Sequence, residues 1–216
     1  MATILMKLSE DRAATQYDRW ISLLTFKQDS ALRNYIVDNL LPRKGKLLDI
    51  GCGTGKLLIE AGRRGIRGIG VDTNKEMLQI AEEHVKKHNL TRRIDVRYGD
   101  ATALDFDDGV FDVVVSTLMV SELQPKQLKA FLNEAARVVV RGGQVVVGGE
   151  GIPQSRLIAP FFGLIRRLSF RLVSRLSNVV SHTHHNIPAS MRSAGLSPRY
   201  RVTLMGGLYE LFVAEA

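Results

Sequence analysis

The chain has 216 residues, 45% of them hydrophobic, and a formal charge of +8 at pH 7. That length suits one sizeable α/β domain and the composition excludes a disordered chain. No apolar run reaches the roughly 20 residues a membrane-spanning helix needs, no signal-peptide pattern is seen, and the single cysteine, Cys52, excludes a disulfide framework and a multi-cysteine zinc site, so the expected location is the cytoplasm.

In chain order, the first forty residues read as helical, with Trp20, Leu23, Leu24, Leu32, Ile36 and Leu40 at helical spacing. Pro42 and Gly45 end that region. Residues 46–50 form a short apolar run fit for a buried strand, and a helix follows over about 55–64. The expected elements then alternate: strand 68–72, helix 75–88 with Met77, Ile80, Ala81 and Val85 on one face, strand 94–98, strand 111–116, helix 126–138 and strand 144–148. A sixth strand is expected over 199–204. Continuous apolar strands alternating with helices predict a mainly parallel, doubly wound sheet with helices on both faces. In such a sheet, ligands bind at the carboxyl ends of the strands.

The chemistry-bearing residues fall at those ends. After the first strand stands Gly51-Cys52-Gly53-Thr54-Gly55, whose glycines permit a sharp turn and close approach to a ligand. A P-loop is excluded because Leu57 follows Gly55-Lys56 and Ile50 occupies the first glycine position. The dinucleotide spacing fails as well, since the third glycine comes one residue early. Asp49, at the strand end, disfavours a pyrophosphate and favours a ligand carrying positive charge, such as an ammonium or a sulfonium. Asp72 ends the second strand, where an acid about 20 residues past a glycine loop accepts hydrogen bonds from ribose hydroxyls. A helix cap supplied by Asp72 or Thr73 is the structural alternative. Asp100-Ala101 follows the third strand, where a carboxylate can accept from an exocyclic amino group, with a cap or turn as the alternative. Ser116 and Thr117 follow the fourth strand on the same edge.

Leu48-Asp49-Ile50-Gly51-Cys52-Gly53-Thr54-Gly55 resembles the glycine motif of the class I S-adenosylmethionine-dependent methyltransferases at every position. Phe111-Asp112-Val113-Val114-Val115 is similar to that family's fourth-strand motif, and Arg137-Val138 before Gly142-Gly143 to its approach to strand five, although Val140-Arg141 stands where Lys-Pro is usual. The resemblance implies a Rossmann-like fold whose final strands form an antiparallel hairpin. It implies S-adenosylmethionine as cofactor and S-adenosylhomocysteine as product. By the same resemblance Gly51, Cys52, Gly53 and Gly55 cradle the methionine part, and Asp49 organises its ammonium. Asp72 and Thr73 take the ribose, Asp100 with Ala101 the adenine edge, and Tyr17 and Thr117 complete the site. Tyr17-Asp18, Glu150-Gly-Ile-Pro153 and Gly206-Gly207-Leu208 resemble features of the ubiquinone/menaquinone-biosynthesis C-methyltransferase branch and its phospholipid-methylating neighbours. Many of those relatives carry a His-His pair after strand four, where this chain has Ser121-Glu122, so no role transfers from that pair.

The chain is read as one domain over 1–216: an N-terminal lid over 1–44, a cofactor core over 45–150, a helical cap insertion over 151–190, and a final helix end with a hairpin over 191–216. Charge is unevenly placed. Residues 1–150 hold 22 Lys/Arg and 20 Asp/Glu, residues 151–216 hold 8 and 2, and no acid lies between Ile152 and Tyr209. Residues 154–177 form a basic amphipathic pattern, read as a cap on the domain and, as a further option, as a peripheral contact with an anionic membrane. No catalytic residue is assigned. Glu122, Glu150, His182, His184 and His185 are the candidates for a proton acceptor, and no metal is expected on the histidines. The favoured acceptor is a small or lipophilic molecule. RNA- or protein/corrinoid-directed methylation, and a non-catalytic cofactor-binding module, are the alternatives. Nucleic acid is disfavoured because Ser116-Thr117-Leu118-Met119 lacks the Pro-Pro motif of nucleic-acid amino-methylating relatives.

Overall fold

The computed structural model describes residues 28–117, 119–151, 186–207 and 209–216. Tyr17, Trp20, Leu23, Leu24, the segment 154–177, His182, His184, His185 and Leu208 lie outside the described residues, and of Glu150 the backbone alone is described.

The described elements are α1 (Gln28–Asn39), β1 (Lys46–Ile50), α2 (Lys56–Arg63), β2 (Arg67–Asp72), α3 (Lys75–Lys87), β3 (Ile94–Tyr98), β4 (Phe111–Thr117), a single 3-10 turn (Met119–Glu122), α4 (Pro125–Val138), β5 (Val139–Glu150), α5 (Ile187–Ser193), β6 (Ser197–Leu204) and β7 (Tyr209–Glu215). The strands form one sheet in the order β3-β2-β1-β4-β5-β7-β6. The pairs from β3 through β5 are parallel, and β7 runs antiparallel to both β5 and β6. The expected doubly wound sheet with an antiparallel C-terminal hairpin is the one observed.

Strand alternation divides the core in two. Leu47, Val113, Val115, Val146 and Leu211 face a layer built from Leu32 and Ile36 of α1, Leu57 and Leu58 of α2, and Leu78 and Val85 of α3. Leu48, Val114, Val145 and Val147 face Leu128, Phe131 and Leu132 of α4 and Ile187 and Met191 of α5. Burial on both faces explains why these strands are unbroken apolar runs. Gly70 lets α2 close on β2: a Cβ there would come within 2.5 Å of Leu58 Cδ1 and 2.7 Å of Cys52 Sγ.

The elements depart from the sequence expectations mostly at their ends. Gly55 is not the first residue of α2 but its left-handed N-cap, with φ 74°. β5 starts five residues earlier than expected. Val139 pairs with Phe111, the register then shifts, and pairing resumes at Val113 with Gln144. The intervening turn uses Gly142 at φ 77°, and its ends are tied by Gly142 N–H donating to Ala216 O at 2.9 Å and Ala216 N–H to Gly143 O at 3.1 Å. Apolar periodicity does not reveal such a bulge because valine runs stand on both sides of Arg141-Gly142-Gly143-Gln144. α5 crosses the 190/191 boundary, starting at Ile187 with Asn186 as its N-cap. Among the described residues no helix is long and apolar enough to cross a membrane.

Candidate functional site

β1 lies between β2 and β4, so the chain reverses its direction of travel across the sheet at the carboxyl end of β1. That opens a crevice where the loops diverge. The glycine loop occupies it. Gly51 and Cys52 N–H groups donate to Val71 O at 2.8 and 3.1 Å, and Gly55 N–H donates to Cys52 O at 3.0 Å. Gly51, Gly53 and Gly55 all have positive φ, at 74°, 52° and 74°. Their surroundings differ. A Cβ on Gly51 would come within 2.9 Å of Met119 Cβ, one on Gly55 within 3.1 Å of Ala81 Cβ, and one on Gly53 would meet nothing within 4 Å. Gly51 and Gly55 thus admit neighbouring elements, and Gly53 opens on the free side of the loop.

Asp72 ties the loop to the second strand. Its Oδ2 accepts from Gly53 N–H at 2.9 Å and its Oδ1 from Asn74 N–H at 2.8 Å. It is not the helix cap. Asn74 fills that position, its Oδ1 accepting from Glu76 and Met77 N–H at 3.0 and 3.2 Å. The capping alternative for Asp72 and Thr73 is thereby set aside, and Thr73 is exposed beside the carboxylate. Asn directly before an amphipathic run is a strong N-cap signal, so Asn74 was readable from the sequence.

Asp49 is 3% exposed, held between Gly70 of β2 and Val115 of β4 in the sheet register. Burial, and then the Asp72 carboxylate, push its carboxyl up to about 7, against the opposing pull of Arg33. Cys52, expected in the site, turns its side chain into the core. Burial and the two aspartates push its thiol far above the ordinary range, so only its backbone faces the crevice chemistry. Asp100 is exposed, and its Oδ1 accepts from Thr102 N–H and Oγ1, each at 2.8 Å. The bond from the Thr102 backbone, then that from its hydroxyl, holds the Asp100 carboxyl below its usual range. Ala101 is buried beneath it. Thr117 is half-buried at the end of β4, opposite Gly148.

The sequence reading gave no role in the site to His84 or Met119, which lie at this edge, nor a structural one to Arg137 and Glu134, which lie at the amino ends of β4 and β5. His84 Nδ1 lies 3.0 Å from Thr54 O and braces the loop from α3. Met119 packs onto Gly51. Arg137, noted earlier only as part of a motif, clamps the segment after β3. Its guanidinium donates to Phe106 O at 2.6 Å, Leu104 O at 3.0 Å, Asp108 Oδ1 at 2.8 Å and both oxygens of Glu134. Glu134 Oε2 also accepts from Leu104 N–H at 2.7 Å. Apart from the Arg137–Glu134 pair, these contacts join residues 29 to 33 positions apart, beyond the reach of local periodicity. Glu122 is exposed on the 3-10 turn, and the protein packed around it, with the Asp72 carboxylate, raises its carboxyl above the usual range.

Two carboxylates of different character therefore flank an open glycine loop: Asp72, held by one backbone donor on each oxygen and with lone pairs left for hydroxyls, and Asp49, buried and suited to a cation. A ligand with a ribose and a cationic amino-acid part fits this edge. Among the described residues no group of His, Cys, Asp and Glu is placed to hold a metal.

Comparison with known proteins agrees. A methyltransferase-domain family model matches residues 47–143. The demethylmenaquinone methyltransferase of Tropheryma whipplei (strain Twist) is 34% identical over 79% of this chain and 68% of its own length. The phosphatidylethanolamine N-methyltransferase of Cereibacter sphaeroides is 34% identical over 63% of this chain and 67% of its own. A geranyl diphosphate methyltransferase solved in complex with SAM shares the fold at a TM-score of 0.69 and 15% identity, over 95% of this chain and 92% of that one.

Proposed function

The chain belongs to the class I S-adenosylmethionine-dependent methyltransferases, with S-adenosylmethionine as cofactor, and on that premise we propose that its methyl acceptor is a small lipophilic molecule of the quinone or phospholipid kind. Both named relatives methylate acceptors of that kind, and Met119 lends the post-β4 turn an apolar side chain directly over the glycine loop. We assign the ribose hydroxyls to Asp72 with Thr73 beside it, the methionine ammonium to Asp49, the adenine edge to Asp100 and Ala101, and the methionine backbone to Gly51, Gly53 and Gly55. The observation that carries the assignment is the Asp72 carboxylate, bonded to Gly53 N–H and Asn74 N–H and so pre-set at the loop mouth.

The cofactor supplies a methyl group already activated on a sulfonium. The protein's task is then alignment and exclusion of water, and proximity carries much of the rate. Asp72 and the loop it braces hold the donor in place. Met119 and Thr117 line the side from which an acceptor would approach. Where the acceptor must lose a proton, Glu122 is the candidate to take it, since a raised carboxyl is a better base near neutral pH.

The test offers the purified protein methyl-tritiated S-adenosylmethionine with a reduced short-chain demethylmenaquinone, with phosphatidylethanolamine in mixed micelles, and with total RNA. Label in the lipid-extractable product is expected. Label in RNA or protein alone would overturn the lipophilic assignment.

A further inference from the structure

Three of the five residues in the loop Gly51–Gly55 are glycines, and glycine loses more conformational freedom on being fixed than any other residue. Such a loop binds a ligand tightly where other groups hold it beforehand, because ordering left to the binding step is subtracted from affinity. β2 holds the loop by its N–H groups: Val71 O accepts from Gly51 and Cys52, and Asp72 Oδ2 from Gly53. α3 holds it from another side. Its Ala81 packs beneath Gly55, where a Cβ would come within 3.1 Å of Ala81 Cβ. His84, about one helical turn further on the same face, places Nδ1 3.0 Å from the Thr54 carbonyl oxygen. A carbonyl has no hydrogen to give, so Nδ1–H donates, in the neutral ring and the charged one alike. Thr54 is 6% exposed, which leaves little room for water to stand in for the imidazole. The helix is itself fixed: Asn74 caps it, and Leu78 and Val85 anchor it in the core.

We propose that His84 is a positioning residue for cofactor binding: its Nδ1–H holds the Thr54 carbonyl and so sets the glycine loop before the cofactor arrives. The inference rests on reading Gly51–Gly55 as the cofactor loop. The Thr54 carbonyl belongs to the peptide that joins Thr54 to Gly55. Fixing that peptide restrains Gly55 on one side and, through Thr54, Gly53 on the other. Gly53 is the loop glycine with open space beside it, so its placement is the one a ligand meets. Asp72 holds Gly53 from β2 and His84 holds the next residue from α3. His84 acts through the loop and not on the methyl group.

Calorimetric titration with S-adenosylhomocysteine of the wild type, His84→Ala, His84→Asn and His84→Gln tests this. Asn branches its amide nitrogen from Cγ as the imidazole branches Nδ1, whereas Gln carries it one carbon further. His84→Ala and His84→Gln should bind about tenfold more weakly, as for one lost hydrogen bond, and His84→Asn within about twofold of the wild type. Helix propensity ranks Ala above Gln and Gln above Asn, so an effect that came only through the stability of α3 would run in the reverse order. In ligand-free His84→Ala the Gly53 and Gly55 amides should exchange hydrogen about tenfold faster, with the amides of α3 unchanged. Wild-type affinity in His84→Ala, or His84→Asn binding no better than His84→Gln, would overturn the proposal and leave the cofactor loop in place. So would a neutral wild-type ring protonated on Nε2, read from its nitrogen chemical shifts, which needs no variant to fold. No binding by the wild type would remove the cofactor-loop reading and this proposal together.

Discussion

The carboxyl ends of β1–β3 and those of β4–β5 belong to one edge of one sheet, yet they are organised by different forces. On the β1–β3 side, directional hydrogen bonds hold each loop: Asp72 to Gly53 and Asn74, Asn74 to the start of α3, and Asp100 to Thr102. On the β4–β5 side, the turn over Met119–Glu122 is seated by packing: Met119 against Gly51, and Val120 buried in the core. There the hydroxyl of Ser116, 1% exposed, has no hydrogen-bond partner. Directional bonds fix positions for a constant ligand. Apolar packing tolerates exchange of side chains at modest cost, which suits the side proposed to meet the acceptor.

The sharpest way to break this contrast is Asp72→Ala. It removes the proposed ribose acceptor and the loop brace together, and cofactor affinity should fall by roughly 100-fold or more, as expected for two charge-assisted hydrogen bonds. Denaturation should show a loss of only about 1–2 kcal/mol. Equal losses in binding and stability would make Asp72 a structural residue and erase the distinction. Arg137→Ala should reverse that balance. It leaves Leu104 O and Phe106 O without their donor and should cost about 2–3 kcal/mol in urea unfolding, with a smaller effect on cofactor affinity than Asp72→Ala.

Asp49→Asn sharpens the comparison through pH. A carboxyl raised to about 7 in the fold gives stability that is fully present below the unfolded value near 4 and is lost as pH rises through 7. The ligand-free wild type should therefore lose stability between about pH 4 and 7 through this group. Asp49→Asn should exceed it by roughly 2 kcal/mol at pH 8, measured by thermal unfolding across pH. A variant no more stable at pH 8 than at pH 5, relative to wild type, would contradict the cost assigned to this buried charge. Ser116→Ala should have the smallest effect, neutral or stabilising by up to about 1 kcal/mol, since it deletes a hydroxyl with no partner. A clear loss of stability there would show that the β4 side, too, depends on a directional bond.

The same contrast explains what could be read in advance. The polar side was legible because its residues act near their own positions. A glycine run after an apolar strand, an acid at the next strand's end, and Asp100 bonding two residues on all leave local marks. The β4–β5 side was less legible. Met119 is one apolar residue among many until the fold lays it on Gly51. The bulge in β5 was hidden because valine runs stand on both sides of Arg141-Gly142-Gly143-Gln144.

By itself, the sequence determined the fold class and the parallel core, and it marked the glycine loop and the acids beside it; the antiparallel end came from the family resemblance. It could do so because periodicity, glycine conformation and charge are properties of neighbouring residues. Tertiary structure alone decided that Asp72 braces the loop while Asn74 caps the helix, that Cys52 turns inward, and that Asp49 is buried. Burial and hydrogen-bond partnership are set by residues distant in the chain. They settle the charge state of a carboxylate, and no local pattern carries that information.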